Sequence, residues 1–97
     1  MSKRIVIVGG GIAGLTAGIF ARLYGFESVI AEKHSLLGGQ CTGWYRNGEF
    51  VDGCMHWLTG TDDGRGLNKL WRDIGMLGGV EVVEPAMFFR FEAAGGA

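Results

Sequence analysis

The chain has 97 residues, which is enough for one small domain and too few for two. Its net charge of −1 provides no basic surface for a phosphate backbone, so the composition argues against a nucleic-acid partner. Hydrophobic residues make up 47%, which excludes a disordered chain. The 19 glycines fall in non-periodic clusters, which excludes collagen and indicates turns and close backbone approaches.

An uncharged run of 17 residues from Ile5 to Ala21 follows Lys3 and Arg4. A charged start before such a run is also found in secretion signals, and a membrane helix needs about 18 or more apolar residues. Five of the 17 residues are glycine, and three of these are consecutive, which would weaken any membrane-spanning helix. We therefore expect neither a signal nor an anchor here.

The same stretch reads better as a βαβ unit. RIVIV is a β-branched run typical of a buried parallel strand, and GGGIAG contains G-x-G-x-x-G at Gly9, Gly11 and Gly14. A helical pattern follows, and FESVIAEK predicts a second strand that ends at Glu32. The predicted fold class is α/β, with an incomplete Rossmann-type unit that binds a dinucleotide.

Each position of this motif has a physical role in dinucleotide binding. Gly9 allows the tight turn, Gly11 lets a pyrophosphate approach the backbone, and Gly14 lets the helix pack on the strand. The helix start directs its free N–H groups at the phosphates. Glu32 accepts hydrogen bonds from the ribose hydroxyls and repels a 2′-phosphate, which disfavours NADP; Lys33 beside it softens that repulsion.

A second glycine loop, LGGQ, follows six residues after Glu32 in a segment rich in glycine and aromatic residues. With this loop and the GEFVDGC element at 48–54, the sequence resembles the N-terminal part of FAD-dependent oxidoreductases of the phytoene desaturase and amine oxidase group. The resemblance is closest to bacterial phytoene dehydrogenase-like proteins. It implies that Gly38 and Gly39 lie against the flavin diphosphate. Gln40 stands where the family often has an arginine, so it brings a hydrogen bond and no charge.

The resemblance implies FAD as the cofactor, with NAD less favoured, and a small-molecule substrate, lipophilic in carotenoid-type reactions. It also implies that His56 and Trp57 lie near the flavin or substrate; the alternative is that both are packing residues. The catalytic residues are not identified. The predicted cofactor-binding residues are Gly9, Gly11, Ile12, Ala13, Gly14, Glu32, Lys33, Gly38, Gly39 and Gln40.

Cys41 and Cys54 form no C-x-x-C, and with His56 they fit no common zinc spacing, so we expect free thiols in a reducing compartment and no metal. The expected location is the cytoplasm, with the full-length protein peripheral to a membrane as an alternative.

The segment DDGRGLNKLWRDIGML predicts an amphipathic helix, capped by Thr61, Asp62 or Asp63 and ended by Gly75 or Gly78. Two short strands are predicted at 80–85 and 86–92. We assign residues 1–60 to FAD binding and residues 61–97 to the start of a substrate domain.

One βαβ unit leaves open strand edges and an apolar sheet face. We therefore expect the chain to be the N-terminal piece of a larger oxidoreductase, truncated and inactive alone. Two other readings stay open: a non-catalytic dinucleotide-binding module or remnant, and an NAD-dependent dehydrogenase domain.

Overall fold

The computed structural model describes residues 3–55, 57–62, 64, 66–87 and 89–95. The chain begins with strand β1 (Arg4–Val8), helix α1 (Ile12–Leu23) and strand β2 (Glu27–Ala31). A one-turn 3₁₀ helix (Gly39–Cys41) leads into strands β3 (Gly43–Arg46) and β4 (Glu49–Asp52). Helix α2 (Gly66–Asp73) is the last regular element of the described residues.

Strands β1 and β2 pair in parallel, from Arg4 opposite Glu27 to Val8 opposite Ala31. Helix α1 connects the two strands and packs on one face of this sheet, so the order is strand, helix, strand, as the sequence predicts. The predicted α/β class with a Rossmann-type βαβ unit is thereby confirmed.

Small residues hold α1 close to the sheet. Gly18 and Ala21 are its buried residues, and the Ser28 hydroxyl donates a hydrogen bond to the Gly18 carbonyl at 3.1 Å. A methyl group on Gly18 would lie 3.0 Å from Cδ1 of Ile30. At Gly14 it would overlap the carbonyl oxygen of Gly9. The third glycine of the motif therefore permits close contact of the helix with the loop and, as the sequence predicts, with β1, since the same methyl group would lie 3.3 Å from Cγ2 of Ile7.

Helix α1 is terminated by Gly25, whose backbone adopts the left-handed conformation. Gly25 has φ of +83°, its N–H donates to the Arg22 carbonyl, and the Phe26 N–H donates to the Ala21 carbonyl. The same pair of bonds ends α2, where Gly75 has φ of +76° and the Met76 N–H donates to the Trp71 carbonyl. Both ends are Schellman motifs, in which a left-handed glycine satisfies the last carbonyls.

Helix α2 is shorter than predicted, because it begins only at Gly66. Thr61 and Asp62 lie too far upstream to cap it, and Asp63 lies outside the described residues. The Asn68 side chain instead connects α2 to the preceding loop: it is buried and donates to the carbonyls of Gly60 and Thr61. Its amide oxygen accepts a hydrogen bond from Arg72 at 2.7 Å.

Strands β3 and β4 form an antiparallel hairpin that the sequence analysis missed. The signal was present, since Asn47-Gly48 is the dipeptide preferred in two-residue hairpin turns. Both residues have positive φ, +53° and +83°, as a type I′ turn requires.

The two strands predicted at 80–85 and 86–92 are wrong. The described residues of this segment form no strand, and large apolar side chains there are exposed, including Val83 (76%) and Phe91 (82%). A strand needs a neighbour that satisfies its backbone groups, and Pro85 offers no N–H to a ladder.

The packing is concentrated in the βαβ unit, and the chain as a whole is extended. The radius of gyration is 18.0 Å, whereas a compact domain of this length has about 12.5 Å. The sheet face opposite α1 carries the exposed side chains of Val6, Val8 and Val29. A parallel sheet is normally covered on both faces, so this face lacks its usual cover within the described residues.

We expect Gly14→Ala to destabilise the βαβ unit by about 1–3 kcal/mol, because its methyl group overlaps the Gly9 carbonyl. Urea unfolding followed by circular dichroism measures this effect. Gly66→Ala is the matched control, since no atom outside its chain neighbours and its own helix backbone lies within 4 Å of the added methyl group. Equal unfolding midpoints for the two variants would contradict the assigned role of Gly14.

Candidate dinucleotide site

The first glycine loop connects the end of β1 to the start of α1. Gly9 has φ of +106°, a region that strongly favours glycine, and its N–H donates to the Ala31 carbonyl at 2.8 Å. Gly11 is the N-cap of α1 and has an extended backbone, with φ of −76° and ψ of −174°. Its carbonyl accepts the first helical hydrogen bond, from Leu15 at 2.9 Å.

The start of α1 is open toward this loop. No side chain caps it, and its first turn contains no acidic residue. The N–H groups of the first turn, including those of Ile12 and Ala13, have no intrahelical carbonyl to bond. Both residues are exposed. These N–H groups and the positive end of the helix dipole favour an anion beside the loop.

Glu32 follows β2 directly and turns its carboxylate onto the first glycine loop. Its Oε2 accepts a hydrogen bond from the Gly10 N–H at 2.6 Å, and its Oε1 accepts one from the His34 N–H at 3.1 Å. The Gly10 bond first, and then the His34 bond, lower the pKa of Glu32 below its ordinary value of 4.5. The side chain therefore stays ionised near neutral pH.

The second glycine loop lies against the first. The Gly38 N–H donates to the Gly10 carbonyl at 2.8 Å, and Gly38 forms an isolated parallel bridge with Gly11. Gly39 has φ of +59°, and a methyl group on it would lie 3.1 Å from the Gly11 Cα. The two loops are thus close enough that a side chain at Gly10 or at Gly39 would obstruct the contact.

The structure brings most of the predicted residues together. Gly9, Gly11 and Gly14 lie in one loop and helix start, Glu32 reaches that loop, and Gly38 and Gly39 contact it. Lys33 and Gln40 are exposed and adjoin this cluster in the chain. Trp57 is 62% exposed, and His56 lies outside the described residues.

Sequence reasoning missed Gly10, which is the buried centre of the cluster. Its N–H binds Glu32, its carbonyl binds Gly38, and a methyl group there would lie 2.6 Å from Cδ2 of Leu37. The motif treats this position as variable. The signal in the sequence was that the variable position between Gly9 and Gly11 is itself a glycine, which the fingerprint does not require.

A groove of about 750 Å³ lies elsewhere, between the segment around Trp57 and the extended residues 80–85. None of the predicted cofactor-binding residues lines it. No group of three His, Cys, Asp or Glu side chains in the described ranges is arranged to hold a metal ion. Within those same ranges, no helix is long and apolar enough to cross a membrane.

Residues 7–74 match the model of the NAD(P)-binding Rossmann-like domain family. This match covers more than half of the chain, so the protein belongs to that family. The family assignment agrees with the observed βαβ unit and indicates a nucleotide cofactor.

Two curated proteins share short segments with the chain. Bilirubin reductase from Mediterraneibacter gnavus (strain CC55_001C) is 47% identical over 38 residues, which are 39% of this chain and 6% of that protein. The FAD-dependent monooxygenase ntnA from Nectria sp. is 50% identical over 32 residues, which are 33% of this chain and 4% of that protein. The chain therefore spans only a small part of the length of these relatives.

The lowered pKa of Glu32 makes folding stability depend on pH. The carboxylate stabilises the folded state above about pH 4.5, and this contribution is lost as the pH falls through the lower folded-state pKa. We expect the urea midpoint of the wild type to fall between about pH 5 and pH 3, and to fall less in Glu32→Gln. Glu27→Gln serves as the control, since it removes an exposed carboxylate and keeps Glu32. Equal pH slopes in wild type and Glu32→Gln would contradict this role.

Proposed function

We propose that this member of the NAD(P)-binding Rossmann-like family binds the ADP part of FAD and forms the N-terminal portion of an FAD-dependent oxidoreductase. The full-length protein transfers hydride equivalents between the flavin and an organic substrate, in a desaturase, saturase or amine oxidase type of reaction. The flavin supplies the redox chemistry, and this chain binds and orients its nucleotide half.

The observation that carries the proposal is the contact of the two glycine loops beside the Glu32 carboxylate. Gly10 bonds to Glu32 through its N–H and to Gly38 through its carbonyl. Two loops that meet through glycines and one ionised acid therefore come together at the open start of α1. Such a surface suits a diphosphate attached to a ribose.

Gly11 is the position where the diphosphate approaches the backbone. The nearest protein atom to a methyl group added there would be the Gly39 Cα, at the ordinary contact distance of 3.8 Å. The protein itself therefore leaves room for a side chain at Gly11, and its glycine is explained by a ligand. Gly38, Gly39 and Gln40 support the diphosphate from the opposite side.

Glu32 binds the ribose in this proposal. Its two carboxylate oxygens each accept one backbone hydrogen bond, and a carboxylate has about four acceptor positions. Acceptor capacity therefore remains for the ribose hydroxyls. The negative charge repels a 2′-phosphate, so NADP is disfavoured, and Lys33 lies on the exposed side of the same turn.

The second glycine loop favours FAD over NAD. A simple NAD domain continues from its second strand into a helix, whereas this chain returns to the first loop and then forms the β3–β4 hairpin. The name of the Nectria relative, an FAD-dependent monooxygenase, points in the same direction. Competition titration of FAD against NAD tests the choice, and tighter binding of NAD would favour an NAD-dependent dehydrogenase domain.

The uncovered sheet face supports the proposal that this chain functions within a larger protein. Val6, Val8 and Val29 are exposed on that face, and the matched relatives are many times longer than the matched segments. In this proposal residues 1–60 bind FAD, and residues 61–97 begin a substrate domain. The substrate is a small molecule, lipophilic if the reaction is of the carotenoid type, and the full-length protein is cytoplasmic or peripheral to a membrane.

A non-catalytic dinucleotide-binding module is the second candidate. The extended segment after α2 favours it, because its described residues form no regular element and leave large apolar side chains such as Val83 and Phe91 exposed. An assay of substrate-dependent flavin reduction in a full-length protein that contains this segment separates the two. A longer protein that binds FAD without any flavin reduction would favour the module.

We expect Gly11→Ala to weaken FAD binding at least about tenfold, and Gly11→Val to weaken it further, because each side chain fills the diphosphate position. Titration followed by flavin fluorescence measures the dissociation constant. Circular dichroism should show an unchanged fold, since the protein has room at this position. Gly66→Ala is the control for adding a methyl group elsewhere, and unchanged FAD affinity in both Gly11 variants would overturn the assignment.

The role of Glu32 predicts a preference for an intact ribose. We expect the wild type to bind ADP about tenfold more tightly than 2′-deoxy-ADP, because a hydrogen bond to a charged group is lost. The ratio should approach one in Glu32→Gln. Isothermal titration with both nucleotides measures it, and an equal ratio in wild type and variant would mean that Glu32 does not bind the ribose.

A further inference from the structure

The β3–β4 hairpin aligns the two cysteines of the chain. Its ladder pairs Gly43 with Asp52, and the Gly53 N–H donates to the Thr42 carbonyl at 2.9 Å. The pairing therefore continues one residue beyond the strands. The next pair in this register is Cys41 opposite Cys54.

The hydrogen-bonding pattern of the ladder indicates which type of cross-strand pair Cys41 and Cys54 form. Opposite residues in an antiparallel ladder alternate between hydrogen-bonded and non-hydrogen-bonded pairs. Thr42 and Gly53 are hydrogen-bonded, so Cys41 and Cys54, which follow just outside the strands, fall at the non-hydrogen-bonded step of that alternation. In a regular ladder such pairs have Cα atoms about 4.5 Å apart and side chains on the same face. The Cys54 thiol interacts directly with the Cys41 side chain. Disulfides need Cα separations of about 4.4–6.8 Å.

The surrounding contacts hold both thiols at this position. Asp52 Oδ1 accepts hydrogen bonds from the backbone N–H groups of Cys54 and Met55, at 3.0 and 2.8 Å. The Cys41 Sγ lies 3.8 Å from the Met55 Sδ. Partial loss of water around its sulfur, then the Cys41 thiol and the Asp52 carboxylate, raise the pKa of Cys54. Both cysteines are free and exposed, so a small oxidant reaches them.

We propose that Cys41 and Cys54 form a reversible dithiol–disulfide site that reacts with low-molecular-weight disulfides. Cys41 is the last residue of the 3₁₀ helix and directly follows the second glycine loop. Oxidation therefore ties the end of that loop covalently to the chain leaving β4. This inference concerns the thiols alone and does not depend on the identity of the cofactor.

The chemistry balances with glutathione disulfide as the oxidant. One cysteine thiolate attacks a glutathione sulfur, which forms a mixed disulfide and releases one glutathione thiolate. The second cysteine thiolate attacks the protein sulfur of the mixed disulfide, which forms the Cys41–Cys54 bond and releases the second glutathione. Two electrons pass from the protein thiols to glutathione disulfide, and the two thiol protons end on the released glutathiones.

The test equilibrates the full chain with defined ratios of reduced and oxidised glutathione. Remaining thiols are trapped by alkylation, and the products are identified by intact mass and peptide mapping. We expect a monomer that is lighter by two hydrogen atoms, takes up no alkylating agent and contains a Cys41–Cys54 cross-linked peptide. Dithiothreitol should restore two alkylatable thiols. Cys41→Ser and Cys54→Ser should instead retain one glutathione each.

Cys41→Ser/Thr42→Cys is the matched control. It keeps two thiols but moves one from the end of the 3₁₀ helix to position 42, where the native Thr42 side chain is directed at the Gly39 carbonyl, 3.0 Å away. We expect its equilibrium constant for internal disulfide formation to be at least about tenfold lower than that of the wild type. An equal constant in the control, two bound glutathiones on the wild type, or disulfide-linked dimers would each overturn the proposal.

Discussion

The backbone of Gly10 connects the three segments that make up the candidate site. Its N–H binds the Glu32 carboxylate at the end of β2, and its carbonyl binds the N–H of Gly38 in the second glycine loop. A buried peptide group needs both partners, because an unpaired polar group away from water is costly. The position of Glu32 relative to the helix start, and the return of the second loop, both depend on this one peptide.

The close approach of α1 to the sheet makes that arrangement possible. Gly14 and Gly18 have no side chains where the helix faces the loop and the sheet. The start of α1 therefore packs directly against the first glycine loop. The open N–H groups of the first turn then lie beside the peptide that binds Glu32. Glycines at fixed spacing in the sequence thus create a surface that has N–H groups with partial positive charge on one side and a carboxylate on the other.

The same unit leaves apolar surface without a cover. The face of the sheet opposite α1 exposes valine side chains of β1 and β2, and the segment after α2 remains extended with exposed Val83 and Phe91. The chain therefore concentrates its specific packing in about the first 40 residues.

The sequence by itself determined the βαβ unit, the glycine loop between its first strand and its helix, and the position of Glu32 after its second strand. These features follow from local rules: a strand of β-branched residues, a helical period, and glycines at fixed intervals. The sequence also contained the Asn47-Gly48 turn, although its meaning was clear only once β3 and β4 were seen to pair. Only the tertiary structure decided that Gly10 is the buried centre, that the Cys41 and Cys54 side chains interact, and that residues 80–92 form no strands in their described part. Each of these depends on a partner distant in the chain, and neither propensity nor spacing specifies which distant backbone group comes close enough to bond.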